Sequence, residues 1–159
     1  MLTLGGGLRI RFADAGDDRL AAKAPTYWRK KAERMRFPKD RRLELVAGGL
    51  VAEMLGFESV EIELEPGGKP VLVGHPEIHF SISHSDDVVM CVVAGHRVGC
   101  DVEKVVNLPA DISNLVGSIF EWTLREAKFK CGDKVSSVRN VPAPVGYAAA
   151  VAEEVKSLI

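Results

Sequence analysis

The chain has 159 residues, of which 47% are hydrophobic and 27% charged, and its formal net charge is −1. This length suits one ordinary domain, or two small halves packed closely together, with enough apolar side chains to bury a sizeable core. No apolar run is long enough to span a bilayer and residues 1–11 lack the layout of a signal peptide, so we expect a cytoplasmic protein without membrane association. The three cysteines, Cys91, Cys100 and Cys131, form no C-x-x-C pair, which predicts reduced core residues.

Positive charge is concentrated in residues 23–42, where nine Lys and Arg residues stand against Glu33 and Asp40. This segment has a net charge of +7, so the remainder of the chain carries −8. Such a block is typical of a surface that binds nucleic acid, a membrane, an acidic protein or a polyphosphate ligand, and a solvated helix face is the alternative.

The N-terminal part of the chain predicts a strand followed by a helix. Residues 1–12 have the character of a strand that the glycines at 5–7 bend or interrupt. From Asp40 to Leu55 the apolar residues recur at helical spacing, and Gly56 is a natural stop. The N-terminus of this helix favours anions, because its first backbone N–H groups have no partner within the helix.

The middle of the chain is rich in predicted strands. Residues 60–65 alternate between apolar and acidic side chains, and residues 66–70 then break the pattern with proline and glycine. A strand at 78–83 and a polar turn at 85–87 precede the continuous apolar run 88–94, which predicts a buried central strand. We expect a turn at Gly95 to make this strand a hairpin with the next one.

That next strand carries two acidic side chains on one face. In the alternating stretch Val98–Glu103 the apolar side chains point inward, which leaves Asp101 and Glu103 together on the other face. Two like charges about 6–7 Å apart repel by about 2–3 kcal/mol at an effective dielectric near 20, so the pair favours a bound cation. A merely solvated strand face is the alternative.

A helix is predicted after a linker of unassigned structure at 104–117, and it ends near Gly132. On this helix Glu126 and Lys130 lie one turn apart on one face. A hard cation held by Asp101, Glu103 and Glu126 would have an all-oxygen site that suits magnesium and substrate phosphates. The alternative is an ordinary solvated Glu–Lys pair. A late apolar strand is predicted at 145–152.

Hydrogen-bonding side chains also cluster at Ser83, His84 and Ser85, near the end of a predicted strand, and such a cluster suits a phosphate. His79 and His84 fall on opposite faces of that strand, so they do not form a metal-binding pair. No Ser/His/Asp or Cys/His arrangement can be assembled without an arbitrary choice of partners, which excludes the usual hydrolase mechanisms.

Four motifs, in this order and with this type of spacing, resemble those of the Sfp-like 4′-phosphopantetheinyl transferases. They are Gly68-Lys69-Pro70, Phe80-Ser81-Ile82-Ser83-His84-Ser85, Gly99-Cys100-Asp101-Val102-Glu103 and Trp122-x-x-Arg125-Glu126-Ala127-x-x-Lys130. The resemblance covers residues 68–130 most clearly, and the chain is a shortened version of the family pattern. It implies an α+β fold of two pseudo-symmetric α/β halves, which we place at residues 1–95 and 96–159.

The resemblance also implies a reaction and its residues. The family transfers the 4′-phosphopantetheine arm of coenzyme A to a serine of a carrier protein, with magnesium at the pyrophosphate and 3′,5′-ADP as the product. Asp101, Glu103 and Glu126 would hold the metal, with Glu126 also the base and Lys130 stabilising or protonating the leaving phosphate. The groups implied to contact the phosphates of coenzyme A are Lys69, Ser83, His84 and Ser85, with some of Lys30, Lys31, Arg34, Arg36, Arg41 and Arg42 at its 3′-phosphate region.

We therefore expect a cytoplasmic, magnesium-dependent transferase of the holo-[acyl-carrier-protein] synthase type. Its partner would be an acyl or peptidyl carrier protein, drawn by the positive field of residues 23–42, and the enzyme would be a monomer or a homodimer. A non-catalytic module that binds coenzyme A or a carrier is the alternative, motivated by the short chain. A nucleic-acid-binding face is disfavoured, because little aromatic interleaving accompanies the basic residues.

Overall fold

The computed structural model describes residues 2–4 and 7–155, which form an α+β protein. Its elements in chain order are β1 (Leu2–Leu4), β2 (Leu8–Asp14), α1 (Asp18–Ala22), α2 (Thr26–Glu33), α3 (Pro38–Leu55), β3 (Ile62–Leu64), β4 (Pro70–Leu72), β5 (His79–Ser85), β6 (Val88–Ala94), β7 (Arg97–Lys104), α4 (Ala110–Val116), α5 (Ile119–Cys131), β8 (Ser137–Val141) and β9 (Tyr147–Glu154). The predicted α+β class is confirmed.

The strands form antiparallel sheets. The first sheet has the order β1-β2-β6-β5, the hairpin β3-β4 stands apart, and the third sheet has the order β7-β9-β8. The two larger sheets pack face to face, with α1, α2 and α3 covering the outer face of the first and α5 covering the outer face of the third. The result is four layers, in the order helices, sheet, sheet, helix.

Strand β6 lies at the centre of these layers, and this explains its unbroken apolar sequence. Val89, Cys91 and Val93 pack against the helices, whereas Met90 and Val92 pack against the third sheet. Because both faces are covered, all seven residues of the strand are buried. The predicted central strand is therefore confirmed at its predicted bounds.

The predicted hairpin between β6 and the acidic strand is wrong. Strand β6 pairs with β2 along one edge and with β5 along the other. With both edges occupied it has no backbone groups left for β7, which instead crosses to the third sheet and pairs with β9. The predicted division at residue 95 falls between β6 and β7. Side chains from both sides of it share one hydrophobic core. The division into two halves stays a prediction.

Three alternate serines of β5 connect the edges of the two larger sheets. The hydroxyls of Ser81 and Ser83 accept hydrogen bonds from the backbone N–H groups of Cys100 and Val102, each at 3.1 Å. Ser85 likewise accepts from the N–H of Lys104 at 3.0 Å. Strand β5 thus satisfies the free edge of β7 with side chains in place of backbone carbonyls.

A close approach at Gly99 fixes α5 against β7. A Cβ atom at this position would lie 2.2 Å from the carbonyl oxygen of Ala127 and 2.4 Å from the amide nitrogen of Cys131. Only glycine lets the helix come so near the strand. The contact brings Lys130, on the last turn of the helix, to the side of Asp101.

Several element predictions are confirmed with shifted bounds, and others were missed. The helix predicted at 40–55 begins at Pro38, and it ends at Gly56 with a φ of 72°. Strand β5 continues through Ser85, which was predicted to lie in a turn. The elements without a sequence prediction are α1, α2, β4, α4 and β8. Gly5 and Gly6, within the first predicted strand, lie outside the described residues.

The cysteine prediction is confirmed, because Cys91, Cys100 and Cys131 are all free and buried. No helix among the described residues combines the length and hydropathy needed to cross a bilayer.

Replacing Ser81 by alanine should lower the free energy of unfolding by about 1–3 kcal/mol, because the buried N–H of Cys100 loses its acceptor. Ser85→Ala is the matched control. It should cost less than about 1 kcal/mol, because the bond from Lys104 is exposed and water can replace it. Urea unfolding of the two variants measures the difference, and equal losses would contradict a structural role for the buried bond.

Candidate functional site

A cleft of about 700 Å³ opens between the helical layer, the β3–β4 hairpin, β5, β7 and α5. Its lining includes Lys69, Ser83, His84, Asp101 and Lys130, all of which were predicted as site residues. Tyr27, Trp28 and Phe80 supply aromatic surface on one side. The structure therefore brings together residues that are more than 60 positions apart in the chain.

Asp101 is the most unusual group in the cleft. It is only 3% exposed, and its Oδ1 accepts a hydrogen bond from the hydroxyl of Ser83 at 3.1 Å. Its buried Oδ2 has no hydrogen-bond partner. Burial, together with the negative charge of Glu103, raises the pKa of Asp101 to about 7. A buried carboxylate oxygen without a partner beside a second carboxylate is a favourable position for a cation.

Lys130 faces Asp101 from the last turn of α5. Its ammonium nitrogen lies 3.8 Å from Asp101 Oδ1 and donates to the carbonyl oxygen of Ile82 at 3.2 Å. The lysine is thus held between β5 and β7 at the wall of the cleft. An ammonium group placed here is suited to an anionic ligand.

The β3–β4 turn delivers Lys69 to the same wall. Its ammonium group donates to the carbonyl oxygens of Val98 at 2.7 Å and Lys130 at 3.0 Å. Glu65, at the start of this turn, pairs with Arg97 at 2.8 Å, which fixes the turn on β7. Burial, with the charge of Arg97 adding to it, lowers the pKa of Lys69 to about 8.

A second ionic cluster lies at the other end of the cleft. Glu44 of α3 is only 6% exposed, and its Oε1 lies 3.2 Å from the ammonium nitrogen of Lys31 and 3.9 Å from Nε2 of His84. Burial raises the pKa of Glu44, but the neighbouring His84 and Lys31 outweigh burial, so the pKa is lowered overall. Glu44 is therefore an ionised carboxylate next to two of the predicted phosphate-binding groups.

The predicted arginines are not part of the cleft lining. Arg41 donates to the carbonyl oxygens of Met35 and Arg36, and Arg42 donates to that of Ala15. These bonds fix the segments before α3 and α1. The side chain of Arg36 is exposed beside the ring of Phe37, outside the cleft lining. Ser85 is also outside the cleft lining, and its hydroxyl accepts a hydrogen bond from the N–H of Lys104 in β7. Their predicted contacts with coenzyme A stay predictions.

The acidic residues Glu103 and Glu126 are both half-buried. Among the described residues, no group of three or more His, Cys, Asp or Glu side chains is arranged to hold a metal ion. The joint ligand set of Asp101, Glu103 and Glu126 therefore stays a prediction. Two carboxylates with a free oxygen still fit magnesium, which takes one or two carboxylates and fills its other positions with water and substrate phosphates.

Sequence reasoning missed Glu44, Glu65 and Arg97 as parts of the site. For Glu44 a signal was available, because a charged residue stands between the apolar residues Leu43 and Val46 in the buried stripe of α3. A buried charge of this kind requires partners. For Glu65 and Arg97 no local pattern distinguishes them from other charged residues near strand ends.

The fold and the cleft together define an α+β protein with a cleft lined by charged side chains at the edges of its two larger sheets. The chain is 29% identical over 118 residues to a 4′-phosphopantetheinyl transferase of Bacillus subtilis, which covers 70% of this chain and 53% of that protein. It is 37% identical over 100 residues to the 4′-phosphopantetheinyl transferase psf-1 of Bacillus pumilus, covering 59% and 43% of the two chains. A third relative, the 4′-phosphopantetheinyl transferase Sfp of B. subtilis strain 168, is 27% identical over 108 residues, covering 64% of this chain and 48% of Sfp.

These similarities confirm the resemblance that the motifs indicate, over part of the chain. The α+β architecture is compatible with the fold expected of such a protein. The chain spans about half the length of the curated relatives it matches. No family model matches the chain.

Asp101→Asn should raise the free energy of unfolding of the metal-free protein by about 1–2 kcal/mol, because an amide removes the repulsion with Glu103 and needs no cation. Urea unfolding in the presence of a chelator measures this change. Asp133→Asn, in an exposed turn after α5, is the control and should have no effect. A loss of stability in Asp101→Asn would contradict an electrostatically unfavourable carboxylate.

Lys69→Met should flatten the dependence of stability on pH. The pKa of Lys69 is about 8 in the folded protein and 10.5 in an ordinary setting, so the unfolded chain binds more protons between these values and stability rises with pH across them. Without the amine of Lys69, the increase in the free energy of unfolding with pH should be smaller by about 1 kcal/mol per pH unit. Denaturant unfolding from pH 7.5 to 10.5 measures it.

Lys104→Met is the control for this experiment. A hydrogen bond to Asp86 raises the pKa of Lys104, so this lysine does not contribute to a rise between pH 8 and 10.5. Parallel pH profiles for wild type and Lys69→Met would overturn the assignment of a buried, destabilised ammonium.

Proposed function

We propose that the protein transfers the 4′-phosphopantetheine arm of coenzyme A to a serine hydroxyl of an acyl or peptidyl carrier protein and releases 3′,5′-ADP, as a holo-[acyl-carrier-protein] synthase type enzyme. The observation that carries the proposal is the buried, partly unpartnered carboxylate of Asp101, which faces Lys130 in a cleft also lined by Lys69 and His84. The resemblance implies the same residues as contacts of the metal and of the phosphates of coenzyme A.

Magnesium is the cofactor we propose, held by Asp101 and Glu103, with Glu126 as a further ligand or as the base. The free Oδ2 of Asp101 and the repulsion from Glu103 support this choice. When bound, the ion would offset the negative charge of the pyrophosphate of coenzyme A. Asp101 is held in place for this role by the hydroxyl of Ser83.

The lysines of the cleft would supply the remaining charge neutralisation. Transfer of a phosphoryl-linked group depends mostly on positioning and on electrostatic stabilisation. Lys130 lies at the wall that carries Asp101, so it is suited to stabilise the phosphate that leaves with 3′,5′-ADP. Lys69 and His84 would contact the phosphates from the two sides of the cleft.

Glu126 is the base we propose for the carrier serine. The serine oxygen forms a bond to the phosphorus next to the pantetheine arm, the bridging P–O bond breaks, and its electron pair leaves with 3′,5′-ADP. The serine proton passes to Glu126, directly or through a water molecule. Glu126 lies one turn before Lys130 on α5 and is half-buried, so it is close to the wall and open to solvent.

The surface around the cleft supports an acidic partner with an apolar contact. Phe129, at the edge of the cleft, is 84% exposed. Lys128 and Arg125 are exposed on the same helix, and the segment at 23–42 adds a net charge of +7. Such a field favours the approach of an acidic carrier protein.

A non-catalytic module that binds coenzyme A or a carrier is the second candidate. It is favoured by the arrangement of the acidic side chains, because no three metal-ligating side chains among the described residues are grouped to hold an ion. This candidate predicts binding without transfer.

Incubation of an apo carrier protein with coenzyme A, magnesium and the wild-type chain should add one phosphopantetheine arm, which intact-mass spectrometry detects. Glu126→Gln should slow the transfer about 100-fold or more, because the base is lost. Glu121→Gln, exposed on the first turn of the same helix, is the control and should transfer at the wild-type rate.

Two outcomes would contradict the proposal. Wild-type transfer by Glu126→Gln would remove the assigned base. Binding of coenzyme A without transfer to several apo carriers would favour the non-catalytic module.

A further inference from the structure

The carboxylate of Glu44 lies between two basic side chains of the cleft, those of Lys31 and His84. Its Oε1 lies within 4 Å of both Lys31 and His84, and all three side chains line the cleft. The side chains of Lys31 and His84 are 36% and 39% exposed, whereas that of Glu44 is 8% exposed. The acid is therefore the anchored member of the cluster, and the two basic groups are the members that a ligand reaches first.

This carboxylate stays charged in spite of its burial. Its two partners favour the ionised form more than burial disfavours it, which keeps the pKa of Glu44 below its ordinary value. The cluster is thus a fixed negative charge with two basic groups placed around it. A phosphate that approaches Lys31 has to compete with a carboxylate that is already 3.2 Å away, and beside His84 it meets the negative charge of the same carboxylate.

At the opposite wall the contact between lysine and carboxylate is longer than the 3.2 Å between Lys31 and Glu44. There Lys69 donates only to carbonyl oxygens, and Lys130 lies 3.8 Å from an aspartate that has a free oxygen. A ligand phosphate can approach these two lysines without displacing a close carboxylate–ammonium contact. The two ends of the cleft therefore differ in how readily they accept an anion.

We infer that Glu44 is a specificity-determining residue that weakens the hold of this end of the cleft on phosphate groups, because it pairs with Lys31 and lies beside His84. An ionised carboxylate repels a neighbouring phosphate and accepts hydrogen bonds from hydroxyl or amino groups. The inference rests on the proposed function, because it takes coenzyme A as the ligand.

The test compares wild type with Glu44→Gln, which keeps the shape of the side chain and removes its charge. Isothermal titration with coenzyme A at a fixed magnesium concentration and ionic strength, and with inorganic pyrophosphate in magnesium-free buffer, gives the two dissociation constants. Glu44→Gln should bind both ligands about fivefold more tightly, because Lys31 and His84 become available. In the transfer assay the KM for coenzyme A should fall while kcat changes little.

Glu53→Gln is the matched control. Glu53 lies on the same helix and pairs with Arg11 and Arg19, but it is outside the cleft. The Glu53→Gln substitution removes one negative charge from a carboxylate that is also surrounded by basic side chains. It should leave both dissociation constants within about twofold of wild type. Thermal unfolding of each variant checks that the fold is retained.

A double variant tests whether the effect passes through Lys31. In a Lys31→Met background the gain from Glu44→Gln should shrink, because one of the two released groups is absent. A gain of the same size in both backgrounds would overturn the role of Lys31.

The remaining outcomes separate this inference from the function on which it rests. If wild type binds coenzyme A and Glu44→Gln binds it equally or more weakly, Glu44 orients the basic groups for the ligand and the inference is overturned. If neither protein binds coenzyme A, both the inference and the proposed function are overturned.

Discussion

The backbone of β7 has one free edge, and the serine hydroxyls of β5 satisfy it. Each hydroxyl accepts from an N–H group of β7, and that of Ser83 also donates to the carboxylate of Asp101. A single side chain thus connects two sheets and orients the most deeply buried acid of the cleft. The facing sides of the two sheets otherwise meet through apolar side chains, whose contacts are not directional. The position of Asp101 relative to β5 and Lys130 depends on this register.

Charge in the cleft is arranged in pairs. Lys31 faces Glu44, Arg97 faces Glu65 and Lys130 faces Asp101, so the cationic groups are held at short distances by acids on neighbouring elements. Such pairing reduces the cost of burying each charge. It also means that a polyanionic ligand meets groups whose positions are already fixed. Pre-positioned charges of this kind are what phosphoryl chemistry requires, because it depends on geometry more than on covalent assistance.

Much of the fold was predictable because local patterns report burial directly. The unbroken apolar run of β6 and the helical spacing of α3 gave elements close to their true bounds. Pairing was not predictable in the same way, because a short turn favours a hairpin only if the first strand has a free edge. In the cleft, strand alternation placed Asp101 and Glu103 on one face, and helix spacing aligned Glu126 with Lys130. How closely α5 approaches β7 depends on Gly99, and no local pattern in the sequence reports that distance.

The layering of the two sheets has a consequence for dividing the chain. Leu8, Ile10 and Met90, from the first sheet, bury one face of β7 and β9, while Val98 and Val151 bury the facing side of the first sheet. If the polypeptide were cut between β6 and β7, each fragment would have a broad apolar sheet face that nothing covers. Each fragment would therefore tend to associate with the other or with copies of itself, because both would expose this apolar surface to water.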